Sequence, residues 1–269
     1  MAFTRHISRN PKHFVTRRCR SAAAAAALLV VLGCASFAGL GGTAHAAVSN
    51  EDVALSLATL LRSARAVISK NQKLINDETK GDKGLTSAVV LAKAKENYKK
   101  ATGVDIDSID STSLQGELLK AEMDAIVEVM DEAQPRINEK GVGLKGFLPA
   151  IFARLVTQSF RAKKGDIADI KLTAPKNYVR NRANRPDKWE NKIIEEQFKA
   201  PDHKKGQHVA AMADKKGKPA FRLILPEYYK ESCLACHGEP KGERDITGGK
   251  KEGGQLGELG GAISVTIFQ

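Results

Sequence analysis

Cysteine is scarce in this 269-residue chain. Of four, Cys19 and Cys34 fall in the first 46 residues, while Cys233 and Cys236 share one short motif. That set builds no disulfide framework, so the fold must rest on a buried apolar core, for which the 42% hydrophobic content is ordinary. Aromatic residues are few, and Trp189 is the one tryptophan. Acidic residues are absent from residues 1–46, which hold Arg5, Arg9, Lys12, Arg17, Arg18 and Arg20. The formal charge of +12 is therefore partly a property of the N-terminus. Without those residues 37 Lys and Arg face 31 Asp and Glu, a net of +6. A surplus of that size requires no nucleic-acid partner, and pairs such as Lys215-Lys216 and Lys250-Lys251 read as solvated loops.

The basic N-terminus precedes an apolar run from Ala22 to about Leu40, and Ala44-His45-Ala46 offers small residues at the spacing a signal peptidase reads. Residues 1–46 are thus expected to be a secretory signal, and the mature protein to be periplasmic. Three variants of this reading stay open. Arg17-Arg18 hints at a twin-arginine signal, although Arg20 stands where a bulky apolar residue is expected. Val31-Leu32-Gly33-Cys34 is similar to a lipoprotein cleavage box, with Leu32 larger than usual. An uncleaved run would be a membrane anchor, but Gly41-Gly42 interrupt it. A membrane partner follows only if Cys34 is lipidated or the signal is retained.

Behind the signal, Asn50-Glu51-Asp52 gives a helix start, and Val53, Leu57, Leu60, Leu61, Ala64, Val67 and Ile68 recur at three- and four-residue steps. A polar turn over 77–84 and a helix from about Leu85 to Ala101 complete a hairpin. An offset of 62 residues repeats it: Gln72 matches Gln134, Ile75-Asn76 matches Ile137-Asn138, Lys83-Gly84 matches Lys145-Gly146, and Gly103 matches Gly165. Two successive helical hairpins are expected. From Gly165 the pattern changes. Ile167, Ile170 and Leu172 suggest a strand, Asp187–Lys199 a short helix, and Gln207–Ala213 and Ala220–Tyr228 a strand pair around the turn 214–218. Residues 238–257 read as a Gly- and Lys-rich loop and residues 260–268 as a terminal strand. Helices first and antiparallel strands last give an α+β fold. The expected organisation is a signal over 1–46, a helical extension over 47–118 and a second domain over 119–269.

The motif that carries chemistry is Cys233-Leu234-Ala235-Cys236-His237. Cys-x-x-Cys-His is the attachment pattern of c-type haem: two thiols bond the macrocycle's vinyl groups and the adjacent imidazole of His237 reaches the iron. One covalent haem c is expected. Ligation through the far ring nitrogen would leave the nearer one to hydrogen-bond the backbone. A redox dithiol would not need His237, and a zinc site would need two further ligands where only His203 and His208 remain. For the sixth iron position the chain offers His203, His208, Met123, Met130 and Met212. Each methionine has an equal reading as a core filler.

Segment 119–269 resembles the single-haem, PAS-like c-type domains of bacterial periplasmic sensors and stand-alone small haem proteins. The resemblance rests on Arg180-Asn181-Arg182-Ala183-Asn184-Arg185-Pro186-Asp187-Lys188-Trp189-Glu190, on Leu225-Pro226 ahead of the haem motif, and on Gly260-Gly261-Ala262-Ile263-Ser264-Val265. It implies a PAS-like antiparallel sheet with helices on one side and haem packed against the sheet. Some members place a distal Cys in a segment similar to Ala125–Met130; this chain has none there, and Met130 becomes the expected distal ligand, with water or an open site as the alternative. In the signature, Arg180 and Arg182 suit haem propionates, Asp187 suits a helix cap, and Trp189 suits a core or haem wall.

Three functions are compatible with these features: a haem-based redox or ligand sensor, a small electron-transfer cytochrome, and a peroxidase-like enzyme. The chain closes at Gln269 in the last strand, so a sensor would pass its signal to a periplasmic partner, and an electron carrier would dock a redox partner. A peroxidase would normally need a second haem or a distal acid–base pair, and neither is visible. The 47–118 hairpin suits a dimer or partner surface.

Overall fold

The computed structural model describes residues 48–269; the expected signal, with Cys19 and Cys34, lies outside the described residues. The element order is α1 Asn50–Lys70, α2 Gln72–Ile75, α3 Ser87–Thr102, α4 Leu114–Ile137, α5 Pro149–Lys164, β1 Ala168–Thr173, α6 Lys188–Ile193, β2 Val209–Met212, β3 Ala220–Tyr228, α7 Glu231–His237 and β4 Leu259–Phe268. Helices α1, α3 and α4 start where short polar side chains satisfy free amides. Ser49, Thr86 and Ser113 accept from the backbone N–H of Asp52, Val89 and Gly116. Among the described residues no helix is long and apolar enough to cross a membrane.

Helices α3 and α5 each span 16 residues and lie 62 positions apart. Hydrogen bonds across the helical layer obey the same offset. Gln72 Nε2 donates to Phe147 O at 3.2 Å, and Gln134 Nε2 donates to Leu85 O at 3.0 Å. Lys145 N donates to Asn76 Oδ1 at 3.2 Å, and Lys83 N donates to Asn138 Oδ1 at 3.0 Å. Gly84 and Gly146, at φ +61° and +65°, occupy matching left-handed positions that glycine adopts without steric cost. Lys83 and Lys145 are both buried, and their ammonium groups donate to carbonyls of their own loops, Asp77 O and Lys80 O for the first and Glu139 O for the second. The two helix–loop–helix units thus meet through reciprocal contacts, as two copies do about a two-fold axis.

The sheet is antiparallel in the order β1-β4-β3-β2. Its register places Ile170, Val265 and Leu223 in one row and Leu172, Ile263 and Leu225 in the next. This face joins the core of α1, α3, α4 and α5. The opposite face carries Ile224 and Ala262, which pack with Ile193, Ile194 and Phe198. The expected mixed α+β arrangement is therefore present, but helical structure covers both faces where the resemblance implied one side. The reason is the run 188–198, in which α6 continues into a π-helical turn, Ile194–Phe198, and turns its apolar residues onto the sheet. Helix α1 packs on both β3 and β4, and the boundary drawn at 118/119 falls inside α4.

One core residue breaks the apolar rule. Glu122 of α4 is fully buried, and neither carboxylate oxygen finds a hydrogen bond. Burial raises its carboxyl well above the ordinary range, so it is held protonated. An unfolded-state Glu ionises near pH 4.3, so ionisation favours the unfolded chain as pH rises beyond that value. Wild-type stability should therefore fall as pH rises above the ordinary glutamate value of about 4.3, and Glu122→Gln should flatten that slope in thermal melts taken from mildly acid to neutral pH; parallel slopes would contradict the assignment.

Candidate functional site

Two residues separate the end of β3 from helix α7, whose seven residues carry the whole Cys-x-x-Cys-His motif. Cys233 N–H donates to Lys230 O and Gly238 N–H to Leu234 O, both at 2.8 Å, so one helical turn fixes the spacing of the two sulfurs. Both thiols are free and half-buried. The His237 ring stacks on Tyr229, with centroids 5.4 Å apart and planes 23° apart. Tyr229 is held in turn between two glycines, because a Cβ on Gly254 or Gly260 would come within 2.3 or 2.5 Å of its ring.

His237 Nδ1 lies 2.7 Å from Glu252 Oε2, and Nε2 makes no hydrogen bond among the described residues. This corrects one expectation: the nearer ring nitrogen meets a carboxylate and not the backbone. It also revises the reading of residues 238–257. The glycines there let a short loop fold back on α7, where Gly254 N–H donates to His237 O at 2.7 Å and Glu252 reaches the ring. Four acids occupy this loop, Glu239, Glu243, Asp245 and Glu252, and nothing in their sequence spacing singles out Glu252.

Arg180 fastens the loop. Its Nε donates to Glu252 Oε1 at 2.6 Å and one terminal nitrogen to Asp245 Oδ2 at 2.5 Å. The other donates to Cys236 O, Lys250 O and Glu252 Oε2 at 2.6, 3.0 and 3.1 Å. Every arm of Arg180 is thus engaged, whereas Arg182, the other arginine expected to meet propionates, is exposed and its guanidinium makes no hydrogen bond among the described residues. The electrostatics follow from partial burial. Burial lowers the tendency of Arg180 to stay charged, but hydrogen bonds from it to Glu252 and Asp245 outweigh that and raise its pKa. Burial would raise Asp245, yet hydrogen bonds from Thr247 and Arg180 bring it to about 2. Glu252 is likewise lowered, because Arg180 and His237 outweigh its burial. Burial, then the Asp245 charge, pushes the Cys236 thiol up.

The second half of the signature serves another purpose. Asp187 and Glu190 form a capping box at the start of α6, and with Lys171, Lys215 and Arg222 they make an ion cluster on the second face of the sheet. Trp189 packs its ring against the Arg222 guanidinium, 4.4 Å from centroid to carbon. Arg222 is six residues before Tyr228, about 20 Å along a strand, so Trp189 stands toward the far end of the sheet from α7.

The expected distal ligand, Met130, is fully buried in the helical core, on a helix that packs chiefly against α1, α3 and α5. The long helix that meets α7 is α1, through Ser69 Oγ and Ser232 Oγ at 3.0 Å. At the 62-residue offset Met130 corresponds to Ile68, so α1 has no sulfur at that place. Of the other candidates, Met123 lines the same core, Met212 is exposed on β2, His208 pairs with Glu51 at 2.7 Å, and His203 packs on Phe198.

The donor set fits a covalently held haem. Two unpaired thiols share a helical turn with an imidazole whose far nitrogen is free and whose near nitrogen is held by a carboxylate, the outer partner that metal-bound histidines commonly have. Beside α7 lies an open cleft of about 780 Å³ bordered by Arg62, Lys205, Tyr228, Tyr229, Ser232 and Leu256. Among the described residues no cluster of three or more His, Cys, Asp or Glu side chains is placed to hold a bare metal ion.

Because the Cys236 thiol is raised, it should react with iodoacetamide only at a pH above that of an ordinary cysteine, which titrates near 8.5. Peptide mass mapping of haem-free protein labelled between pH 7 and 10 should show this lag; equal labelling of Cys236 and a free model thiol at pH 8 would contradict it.

No curated protein and no solved structure is detectably similar to the chain. A family model described as Tll0287-like matches residues 44–267, taking in α1 to α7 and nearly all of the last strand. That match spans both helical units, the sheet and the Cys-x-x-Cys-His helix together, and the chain therefore belongs to the Tll0287-like family of single-haem, cytochrome-type proteins.

Proposed function

We propose that this protein is an exported redox protein carrying one haem c on α7, within a sheet domain of PAS-like type. The observation that carries the reading is the arrangement on α7: two free thiols and an imidazole presenting an unpartnered Nε2, with Nδ1 fixed by Glu252. Each thiol adds across one vinyl group, sulfur to one carbon and hydrogen to the other, so the step loses no atoms and consumes no oxidant. Bound haem supplies a one-electron couple at iron. His237 provides the proximal nitrogen, Arg180 holds the loop behind it, and Arg182 offers a guanidinium to a carboxylate. Residues 1–46 support a periplasmic location, since c-type attachment takes place outside the cytoplasm. The partner is a redox protein or a periplasmic signalling protein.

A second reading, ligand sensing, is favoured by one observation. Helix α1, the long helix that touches α7, contains no His, Met or Cys, so it brings no strong sixth ligand to the iron. An open or weakly held sixth position would admit a small molecule.

Expression with a working haem-ligation system should give protein whose mass, measured after denaturation, exceeds the polypeptide by one haem. Cys233→Ser and Cys236→Ser should each leave one thioether, and the double variant none. A wild-type mass equal to the bare polypeptide would overturn the reading. Carbon monoxide added to the reduced protein should shift its absorption if the sixth position is exchangeable; an unchanged spectrum would favour closed coordination and electron transfer.

A further inference from the structure

We infer that Glu252 is a positioning residue that makes His237 a strongly electron-donating proximal ligand and so holds the iron at low potential; this rests on the reading of α7 as a haem-attachment site. A proximal histidine that donates Nδ1–H to a neutral carbonyl gains little electron density. One that donates to a carboxylate gains more, because the acceptor is charged and the hydrogen bond is charge-assisted. The added density at Nε2 stabilises ferric over ferrous iron.

Three observations make this a built arrangement. First, the acceptor is shielded: the Glu252 side chain is 8% exposed and its contact with Nδ1 is 2.7 Å, so water competes little for it. Second, the negative charge survives its neighbour. Arg180 would neutralise Glu252 if paired with it alone, but Asp245 takes the same guanidinium at 2.5 Å with its own side chain fully buried. Two carboxylates thus share one cation, and the group keeps a net charge of −1 toward the imidazole. Third, the ring cannot swing away. Tyr229 stacks on it, Gly254 N–H holds the His237 carbonyl, and the Tyr229 ring occupies space that only glycine at 254 and 260 leaves open. The loop 238–258 therefore delivers one carboxylate to one nitrogen and fixes both ends of the contact.

The test uses holoprotein, with covalent haem first confirmed by mass, and reads the midpoint potential by spectroelectrochemical titration. Glu252→Gln keeps the size of the side chain and removes its charge. Its ferric-to-ferrous ratio at a fixed potential should fall at least tenfold, a positive shift of about 59 mV for one electron. Glu252→Asp should recover part of the shift. Asp245→Asn, which leaves the His237 contact untouched but lets Arg180 neutralise Glu252, should move the potential in the same direction. The Asp245→Asn result decides the matter if Glu252→Gln fails to fold or to acquire haem. Unchanged potentials in haem-loaded Glu252→Gln and Asp245→Asn would overturn the inference while leaving the attachment site intact. Absence of covalent haem from the wild type would instead remove the reading beneath it.

Discussion

One guanidinium joins the parts of the site. Arg180 follows β1, the Cys-x-x-Cys-His helix follows β3, and Asp245 and Glu252 stand on the loop that leads to β4. These segments are far apart in sequence and meet because β1, β4 and β3 are neighbours in the sheet. A hydrogen bond from Arg180 to Cys236 O adds the α7 backbone to the same cation. The site is therefore a consequence of strand order: the sheet brings these strand ends together, and Arg180 converts their proximity into a fixed geometry. A partly buried cation between two carboxylates is costly to disturb, since removal of one partner leaves a buried charge uncompensated.

The helical layer solves a different problem. Helix α1 is buried on nearly all sides, against α3, α4 and α5 and against β3 and β4, so its core is continuous with that of the sheet. Reciprocal glutamine and asparagine contacts lock its hairpin to the next one. The same helix ends over α7, at Ser69 and Ser232, so the packing that completes the core also sets what lies above the motif.

Much of this was legible in the sequence where the signal is local. Strand β3 begins and ends at Ala220 and Tyr228, the bounds expected of that strand-like segment, and α3 falls within two residues of its expected bounds. The hairpin turn before β3 was visible in Lys216-Gly217, which take φ of 55° and 79°. The motif Cys233-Leu234-Ala235-Cys236-His237 needed no structure to find. What sequence could not supply was long-range. Arg180 looked available for propionates because its carboxylate partners lie 65 and 72 residues away. Trp189 suited a core or a haem wall by its place in the signature; the structure packs it with the Ile193, Ile194 and Phe198 cluster and against Arg222, since the two halves of the signature serve different ends of the sheet. Met130 drew attention by resemblance, but with two helices of similar sequence only tertiary structure shows which one lies over α7.

Thioether attachment of haem to α7, as proposed, is open to a direct test by acid–acetone extraction of the purified protein. Colour should remain with the precipitated polypeptide, whose alkaline pyridine spectrum should be that of haem attached through two saturated side chains. Transfer of the colour into the organic phase, or a spectrum with intact vinyl groups, would contradict it.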